Sequence, residues 1–198
     1  MRYLEKHPMI MIVIGIIGIS LSAIFVKYSQ APSVVTAAYR LLWTVLLMSP
    51  VVLLKKDRRE ELFSTDRKTV LLCGVSGVFL ALHFAIWFES LKHTSVASST
   101  TIVCTEVIWV ALGFCLVMHG HLSAKSILAI AVTLFGSIII AWSDSSSGGN
   151  HLYGDILALL AAMAVAVYTL IGRVARTTTS TTIYTYIVYL CSAVTLIA

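Results

Sequence analysis

Apolar residues fill seven long stretches of this chain, and short polar segments separate them. Most stretches are 17 to 23 residues long, close to the roughly 20 residues that an α-helix needs to cross a bilayer core. The shorter, alternating segments typical of membrane β-barrels are not found. The pattern predicts an all-α, polytopic transmembrane helix bundle of about seven helices, at residues 9–26, 34–54, 70–91, 96–118, 126–142, 155–172 and 182–198.

Composition excludes a water-soluble domain. Hydrophobic residues make up 59% of the chain and charged residues only 12%, whereas soluble domains carry about 25% charged residues. A fold of 198 residues cannot hide this much apolar surface from water. The surrounding solvent is therefore expected to be lipid.

Basic residues accumulate at one end of the predicted bundle. The net charge is +5, and threading seven helices puts 11 of the 14 Lys and Arg residues on one side of the membrane. Because cytoplasmic loops collect Lys and Arg, we predict a cytoplasmic N-terminus, in a multi-pass protein of the plasma or bacterial inner membrane. We expect the basic segment 55–69 to lie at the membrane surface and contact lipid headgroups, and we expect no nucleic-acid partner.

A Gly- and Ser-rich segment marks a boundary within the chain. Residues 143–154 read SDSSSGGNHLYG, a composition typical of flexible linkers. The segment separates a predicted first five-helix repeat, residues 1–142, from the start of a second repeat, residues 155–198. Since five is an odd number of helices, the second repeat would enter the membrane from the opposite side. Inverted repeats of this kind are typical of secondary transporters.

Several short motifs, taken in their order and spacing, resemble those of a known family. They are AAYRLL at 37–42, LKHTSVA at 91–97, VIWVALG at 107–113, LS at 122–123 and GDILAL at 154–159. In these motifs the chain resembles the EamA-type transporters of the drug/metabolite transporter superfamily. The resemblance implies ten helices in two inverted five-helix repeats. It also implies secondary transport, by export or uptake, of small metabolites, amino-acid-like compounds or drugs.

The chain departs from the family pattern in three ways. Glu106 stands in helix 4 where the family usually has proline, and His119-Gly120-His121 stands where an acidic residue often precedes the Leu-Ser pair. The sequence to Ala198 does not include counterparts of the family's last three helices. We therefore expect a truncated second repeat, and the alternative function is a non-transporting membrane scaffold or partner subunit. A homodimer or a complex with another subunit is a further expectation.

Two charged residues at membrane depth are the main candidates for chemistry. Arg40 lies about 10 Å below the outer end of helix 2. There it would receive an anionic group of the substrate, or else snorkel to the interface or pair with an acid. Glu106 lies near the midplane, where a carboxyl that takes up and releases a proton would couple transport to a proton gradient. The alternatives are a structural Arg40–Glu106 pair and a neutral acid hydrogen-bonded to hydroxyls of its own helix.

Four further residues are predicted to line the substrate cavity: Tyr39, Trp43, His83 and Trp109. Tyr39 and Trp43 are four residues apart and share a helix face. Packing within the bundle or against lipid is the alternative for all four. Trp87, near the outer end of helix 3, is interpreted instead as an anchor at headgroup level.

Motifs of enzymes and cofactor sites are not found in the sequence. The chain has no nucleophile elbow, HExxH, Walker loop or dinucleotide fingerprint, and its four cysteines form no CxxC pair. His83 and Glu89 fall on different faces of one helix, which excludes them as a one-face metal pair. We therefore expect no enzymatic activity, no catalytic residue, no metal ion and no cofactor.

Overall fold

The computed structural model describes residues 8–145 and 151–198. Residues 1–7, which include two of the basic residues used to infer orientation, lie outside the described residues, and so do residues 146–150 of the predicted linker. Within the described ranges the chain is helical apart from short connections and contains no β-strand. The all-α prediction is confirmed.

All seven predicted helices are present, and the fourth is divided in two. The helical segments are, in chain order, α1 Pro8–Tyr28, α2 Ser33–Leu53, α3 Lys56–Ser64, α4 Arg67–His93, α5 Val96–Cys104, α6 Glu106–Leu116, α7 Ala124–Ser145, α8 Leu152–Ala175 and α9 Thr181–Ile197. Within the described chain, four stretches are long and apolar enough to cross a membrane: Ser33–Leu53, Arg67–His93, Val96–Leu116 and Leu152–Ala175. The apolar stretches of the other three long helices, Ile12–Tyr28, Ala124–Ile139 and Thr181–Ile197, are shorter.

The basic segment after α2 contains a short helix, α3, that was not predicted. Two ion pairs lie along it: Lys56 lies 3.8 Å from Glu60, and Arg58 lies 3.1 Å from Glu61. Pairs at this spacing stabilise isolated helices. Glu61 also accepts hydrogen bonds from the amide of Ser180 at 2.7 Å and from its hydroxyl at 2.9 Å. Because Ser180 caps the N-terminus of α9, this contact attaches α3 to the bundle and places a carboxylate at the positive end of the helix dipole.

The helix α4 lies at the centre of the bundle and contacts α2, α8 and α9 most extensively. Small residues of α8 face it, and Ala158 and Ala161 are fully buried. A Cβ on Gly77 would lie 2.8 Å from the carbonyl oxygen of Val188, so α4 and α9 also approach closely. Small residues allow such close packing where lipid provides no hydrophobic driving force between helices.

Polar side chains join α1, α4, α5 and α8 at the end of the bundle opposite the basic segment, the outer end in the predicted orientation. Asp155 accepts hydrogen bonds from the hydroxyls of Thr94 at 2.8 Å and Ser98 at 3.0 Å. Lys27 donates to the carbonyl oxygens of Leu91 and Thr94. We call Lys27, Thr94, Ser98 and Asp155 the outer seam. Its charged groups are hydrogen-bonded, as expected of polar groups that serve structure.

Candidate functional site

The fourth predicted helix is broken in its middle. Helix α5 ends at Cys104 and α6 begins at Glu106. The amide of Thr105, between them, bonds back only three residues, to the carbonyl oxygen of Ile102 at 3.0 Å. The Thr105 hydroxyl donates to the same oxygen at 2.6 Å and so competes with the helical ladder. Irregular backbone at membrane depth is tolerated only where protein or a wet cavity surrounds it, so the residues beside the break are candidates for a functional site.

Glu106 is the first residue of the half-helix that follows the break. It lies ten residues after the start of α5, which is about 15 Å along the helix axis. The side chain is half-buried and has no hydrogen-bond or ion-pair partner among the described residues. In particular, the ion pairs of the described chain do not include Arg40 with Glu106. The half-helix dipole is the feature that favours a carboxylate at this position.

Arg40 packs against aromatic side chains of α4. Its guanidinium carbon lies 5.2 Å from the ring centroid of Phe84 and 5.1 Å from that of Phe88, within the range of a cation–π interaction. Tyr189 of α9 lies within electrostatic range of the guanidinium. The nitrogen Nη1 is buried and has no hydrogen-bond partner among the residues that the structure describes. The guanidinium therefore keeps an unused donor inside the bundle.

His83 and Trp87 extend this arrangement along α4. His83 is 5% exposed, and its Nδ1 donates to the carbonyl oxygen of Ala161 at 2.9 Å. This bond leaves Nε2 as the acceptor of the neutral ring. The rings of His83 and Trp87 stack with centroids 5.6 Å apart, and Trp87 Nε1 is buried without a partner in the described structure. We call this contact network the interior cluster: Arg40, His83, Phe84, Trp87 and Phe88.

The interior cluster has the chemistry of an anion site with apolar walls. An unsatisfied buried donor costs about 1–3 kcal/mol, and more when it is charged, so native structures keep few of them. A carboxylate or another anionic group would satisfy Arg40 Nη1, and an acceptor close by would satisfy Trp87 Nε1. The aromatic rings around these two donors suit a planar or apolar body. A small molecule that combines an anionic group with an apolar part would match these donors and rings in chemistry.

The structure brings together only some of the residues predicted to form the site. Arg40 and His83 belong to one network, since both contact Phe84. Tyr39 and Trp43 are 61% and 62% exposed on the surface of the bundle, away from that network. Trp109 is half-buried with an unpartnered Nε1 in the described structure, and its helix α6 contacts α8. Glu106 and Trp109 thus lie on a helix that contacts α8, and neither belongs to the interior cluster.

Three members of the interior cluster, Phe84, Trp87 and Phe88, were not predicted. The interpretation of Trp87 as a headgroup anchor is wrong, because its side chain is 5% exposed and stacks on His83. A signal was present in the sequence. His83, Phe84, Trp87 and Phe88 stand at positions i, i+1, i+4 and i+5, which places four rings on one face of a helix.

Comparisons with known proteins address the family of the chain and not its site residues. A family model described as the EamA-like transporter family matches residues 7–142. An uncharacterized transporter of Clostridium kluyveri is 24% identical over 178 residues, which cover 80% of this chain and 56% of the relative. The chain thus spans about half the length of that relative.

A second relative matches a shorter part of the chain, at higher sequence identity. The thiamine-repressible mitochondrial transport protein THI74 of Saccharomyces cerevisiae is 32% identical over 111 residues, covering 53% of this chain and 29% of the relative. No solved structure matches the chain. The family match and the apolar helices together define a multi-pass integral membrane protein.

Proposed function

The chain belongs to the EamA-like transporter family, and from this premise we propose that it acts in secondary transport of small metabolites, amino-acid-like compounds or drugs by alternating access. Transport of this kind changes no covalent bond, so the proposal assigns the chain no enzymatic activity. One observation carries it: the interior cluster holds a guanidinium at membrane depth whose Nη1 has no partner in the described structure.

Arg40 is proposed to hold the anionic group of the substrate. A charged side chain near the bilayer centre costs about 2.5–3.5 kcal/mol on insertion scales, and such residues usually mark substrate or ion pathways. Arg40 is surrounded by the Phe84 and Phe88 rings and has no acidic partner in the described chain. The substrate class that fits is a small carboxylate, or another anion, with an apolar or aromatic body.

Glu106 is proposed to carry the coupling proton. It stands at the N-terminus of a half-helix, and broken helices of this kind form the central sites of many secondary transporters. Trp109 follows three residues later, on the same face, and its Nε1 lacks a partner in the described chain. Glu106 and Trp109 would thus line the α6 side of the transport path, while the interior cluster lines the α4 side.

The domain arrangement is proposed to follow the family. Residues 1–142 would form the first repeat and residues 155–198 the start of a second, inverted one. The family match ends at residue 142, which supports this boundary. Inversion is supported by the outer seam, because Lys27 near the end of α1 and Asp155 in the first turn of α8 both contact Thr94. The helices α1 and α8 therefore run in opposite directions.

The membrane and the orientation of the chain are also proposals. We propose the plasma or bacterial inner membrane with the N-terminus in the cytoplasm. The basic residues of α3 and those at the end of α8, Arg173 and Arg176, support this orientation, since cytoplasmic loops collect Lys and Arg.

Proton flux in proteoliposomes tests the proposed coupling. The chain is reconstituted with a trapped pH-sensitive dye, and pools of amino-acid-like and aromatic carboxylates are added under a pH gradient. We expect substrate-dependent proton movement in the native chain and its loss in Glu106→Gln, with membrane insertion unchanged. Glu60→Gln is the matched control, because it makes the same change on a side chain that is 65% exposed, and it should behave as the native chain does. Unchanged gradient-driven flux in Glu106→Gln would refute the assignment.

A further inference from the structure

A cavity of about 500 Å³ lies at the basic end of the bundle, between α6, α7 and α8. Its residues are distinct from those of the interior cluster. Part of its wall is apolar, and the remainder presents two guanidiniums, an imidazole and three hydroxyls, from Arg173, Arg176, His121, Ser123, Ser126 and Thr169. Nitrogen donors of this number and charge are typical of sites for phosphate groups.

The two guanidiniums are held in place but have no counter-ion. Arg173 stacks 4.5 Å from the ring centroid of Phe114. Arg176 donates to the carbonyl oxygen of Gly172 at 3.1 Å and lies 5.7 Å from the ring centroid of Tyr184. In the part of the chain that the structure describes, no carboxylate forms an ion pair with either residue. Arg173 in the last turn of α8 and Arg176, its C-cap residue, are three residues apart and both line the cavity.

The turn after α6 holds Phe114 beneath Arg173. The amide of Gly120 donates to the carbonyl oxygen of Phe114 at 3.0 Å, and His119 between them has a φ of 51°. A Cβ on Gly120 would lie 2.1 Å from the Phe114 ring. Any larger residue at position 120 would therefore require the Phe114 ring, which packs against Arg173, to move.

The cavity continues into an apolar groove between α6 and α7. The groove has a volume of about 220 Å³ and shares Ala111, Leu122 and Ile130 with the cavity. Its lining carries no charged side chain. Leu112 and Ile127, which border it, are 46% and 56% exposed, so the groove is open on one flank of the described bundle. A phosphate site that runs directly into an apolar groove has the two-part chemistry of a phospholipid.

We propose that this cavity binds one anionic phospholipid, with Arg173 and Arg176 on the phosphate and the α6–α7 groove on the first part of an acyl chain. The cavity lies at the basic end of the bundle, which faces the cytoplasmic leaflet in the proposed orientation. That leaflet carries anionic lipids, and basic pockets between transmembrane helices are known to hold their headgroups. Free phosphate would meet the same arginines but would leave the groove unfilled.

Native mass spectrometry of the full chain in detergent tests this site. The protein is titrated separately with phosphatidylglycerol, phosphatidylcholine and inorganic phosphate. We expect one phosphatidylglycerol to bind in preference to phosphatidylcholine. At about 1 kcal/mol for each basic residue near a membrane surface, Arg173→Gln/Arg176→Gln should lower that affinity roughly 10- to 30-fold. Lys55→Gln/Arg59→Gln is the matched control, since it removes the same charge from exposed positions at the same end of the bundle, and it should retain the preference.

A second variant protects the test against misfolding of the double arginine variant. Ser126→Trp leaves both arginines in place and fills the cavity from the α7 side, so it should also displace the bound phosphatidylglycerol. Three results would each overturn the proposal: equal losses in the control and the double arginine variant, normal lipid binding by Ser126→Trp, or displacement of phosphatidylglycerol by an equal concentration of inorganic phosphate.

Discussion

The outer seam and the interior cluster both join α4 to its neighbours through polar side chains, but they differ in how fully those side chains are paired. In the seam, Asp155 accepts two hydrogen bonds and Lys27 donates two. In the cluster, Arg40 Nη1 and Trp87 Nε1 are buried without a partner among the described residues. A paired polar group stabilises a fold, whereas an unpaired one weakens it. We therefore expect the seam to serve the structure, whereas the proposed role of the cluster is to bind a ligand.

Position along the membrane normal sharpens this difference. The seam lies at the ends of its helices, where water is close and polar groups are easily satisfied. Arg40 lies seven residues into α2, about 10 Å deeper, where an unsatisfied charge is least favourable. Sites that sacrifice stability in this way are usually sites of function. The following changes test the comparison, from the largest expected effect to the smallest.

Removing the acid of the outer seam should have the largest effect on stability. Asp155→Ala deletes two hydrogen bonds to a charged acceptor and should lower the free energy of unfolding by about 2–3 kcal/mol. Unfolding in mixed detergent micelles, followed by circular dichroism, measures the change. Glu60→Ala is the control, because it removes only an exposed ion pair, which is worth less than about 1 kcal/mol. Equal losses in the two variants would show that the seam is not structural.

Removing the charge of the interior cluster should not lower the free energy of unfolding, in contrast to Asp155→Ala. Arg40→Met keeps an apolar chain of similar length against Phe84 and Phe88 but deletes the unsatisfied donor. We expect the free energy of unfolding to be unchanged or to rise by about 1 kcal/mol, in the same micelle assay. A loss as large as that of Asp155→Ala would make Arg40 a structural residue and would erase the distinction between the two regions.

Removing the contact between Glu61 and Ser180 should have the smallest effect on stability, and the size of that effect depends on pH. Partial desolvation raises the pKa of the Glu61 carboxyl, but hydrogen bonds from the Ser180 hydroxyl and amide and from Arg58 outweigh it, so the net pKa is lowered. Because the folded pKa is depressed, the stabilisation is complete above the ordinary pKa of about 4.3. It is then lost as pH falls through the folded pKa.

Glu61→Gln should therefore reduce the loss of unfolding free energy that accompanies acidification. The reduction should be less than about 1 kcal/mol, since the contact is partly exposed. Unfolding curves collected between pH 7 and pH 3 measure this change. Glu60→Gln, which alters an acid on the same helix without touching Ser180, should leave the acid limb as it is in the native chain. If stability falls with pH in the same way in Glu61→Gln and in the native chain, the Glu61 contact does not contribute to stability.

The helices could be predicted from the sequence because their apolar stretches match the thickness of a bilayer. Two local features could not. Helix α3 carries too many charges to give a hydropathy signal, and its ion pairs are weak determinants when considered alone. The break at Thr105 has neither proline nor glycine, the usual signals of a kink. It coincides with a threonine hydroxyl bonded to the backbone, a contact that sequence patterns do not specify.

The site was partly predictable for a related reason. Arg40 is conspicuous because a charge at membrane depth needs an explanation, and His83 is conspicuous as a mid-helix imidazole. Tyr39 and Trp43 share a face, but α2 is apolar almost all round, so periodicity does not say which face meets lipid. The structure exposes both residues. The roles proposed for Arg40, His83, Glu106 and Trp109 remain predictions until ligand binding is measured.

Ligand binding by the purified chain tests the central claim, that Arg40 receives the anionic group of the substrate. A panel of small aromatic and aliphatic carboxylates, each paired with its neutral amide, is screened by the shift in thermal unfolding of the native chain, Arg40→Met and Arg59→Met. Arg59 is exposed on α3 and provides the matched control. The account predicts that a carboxylate stabilises the native chain and Arg59→Met while its amide does not, and that Arg40→Met loses the response. A carboxylate response that persists in Arg40→Met, or equal responses to acid and amide, would contradict it.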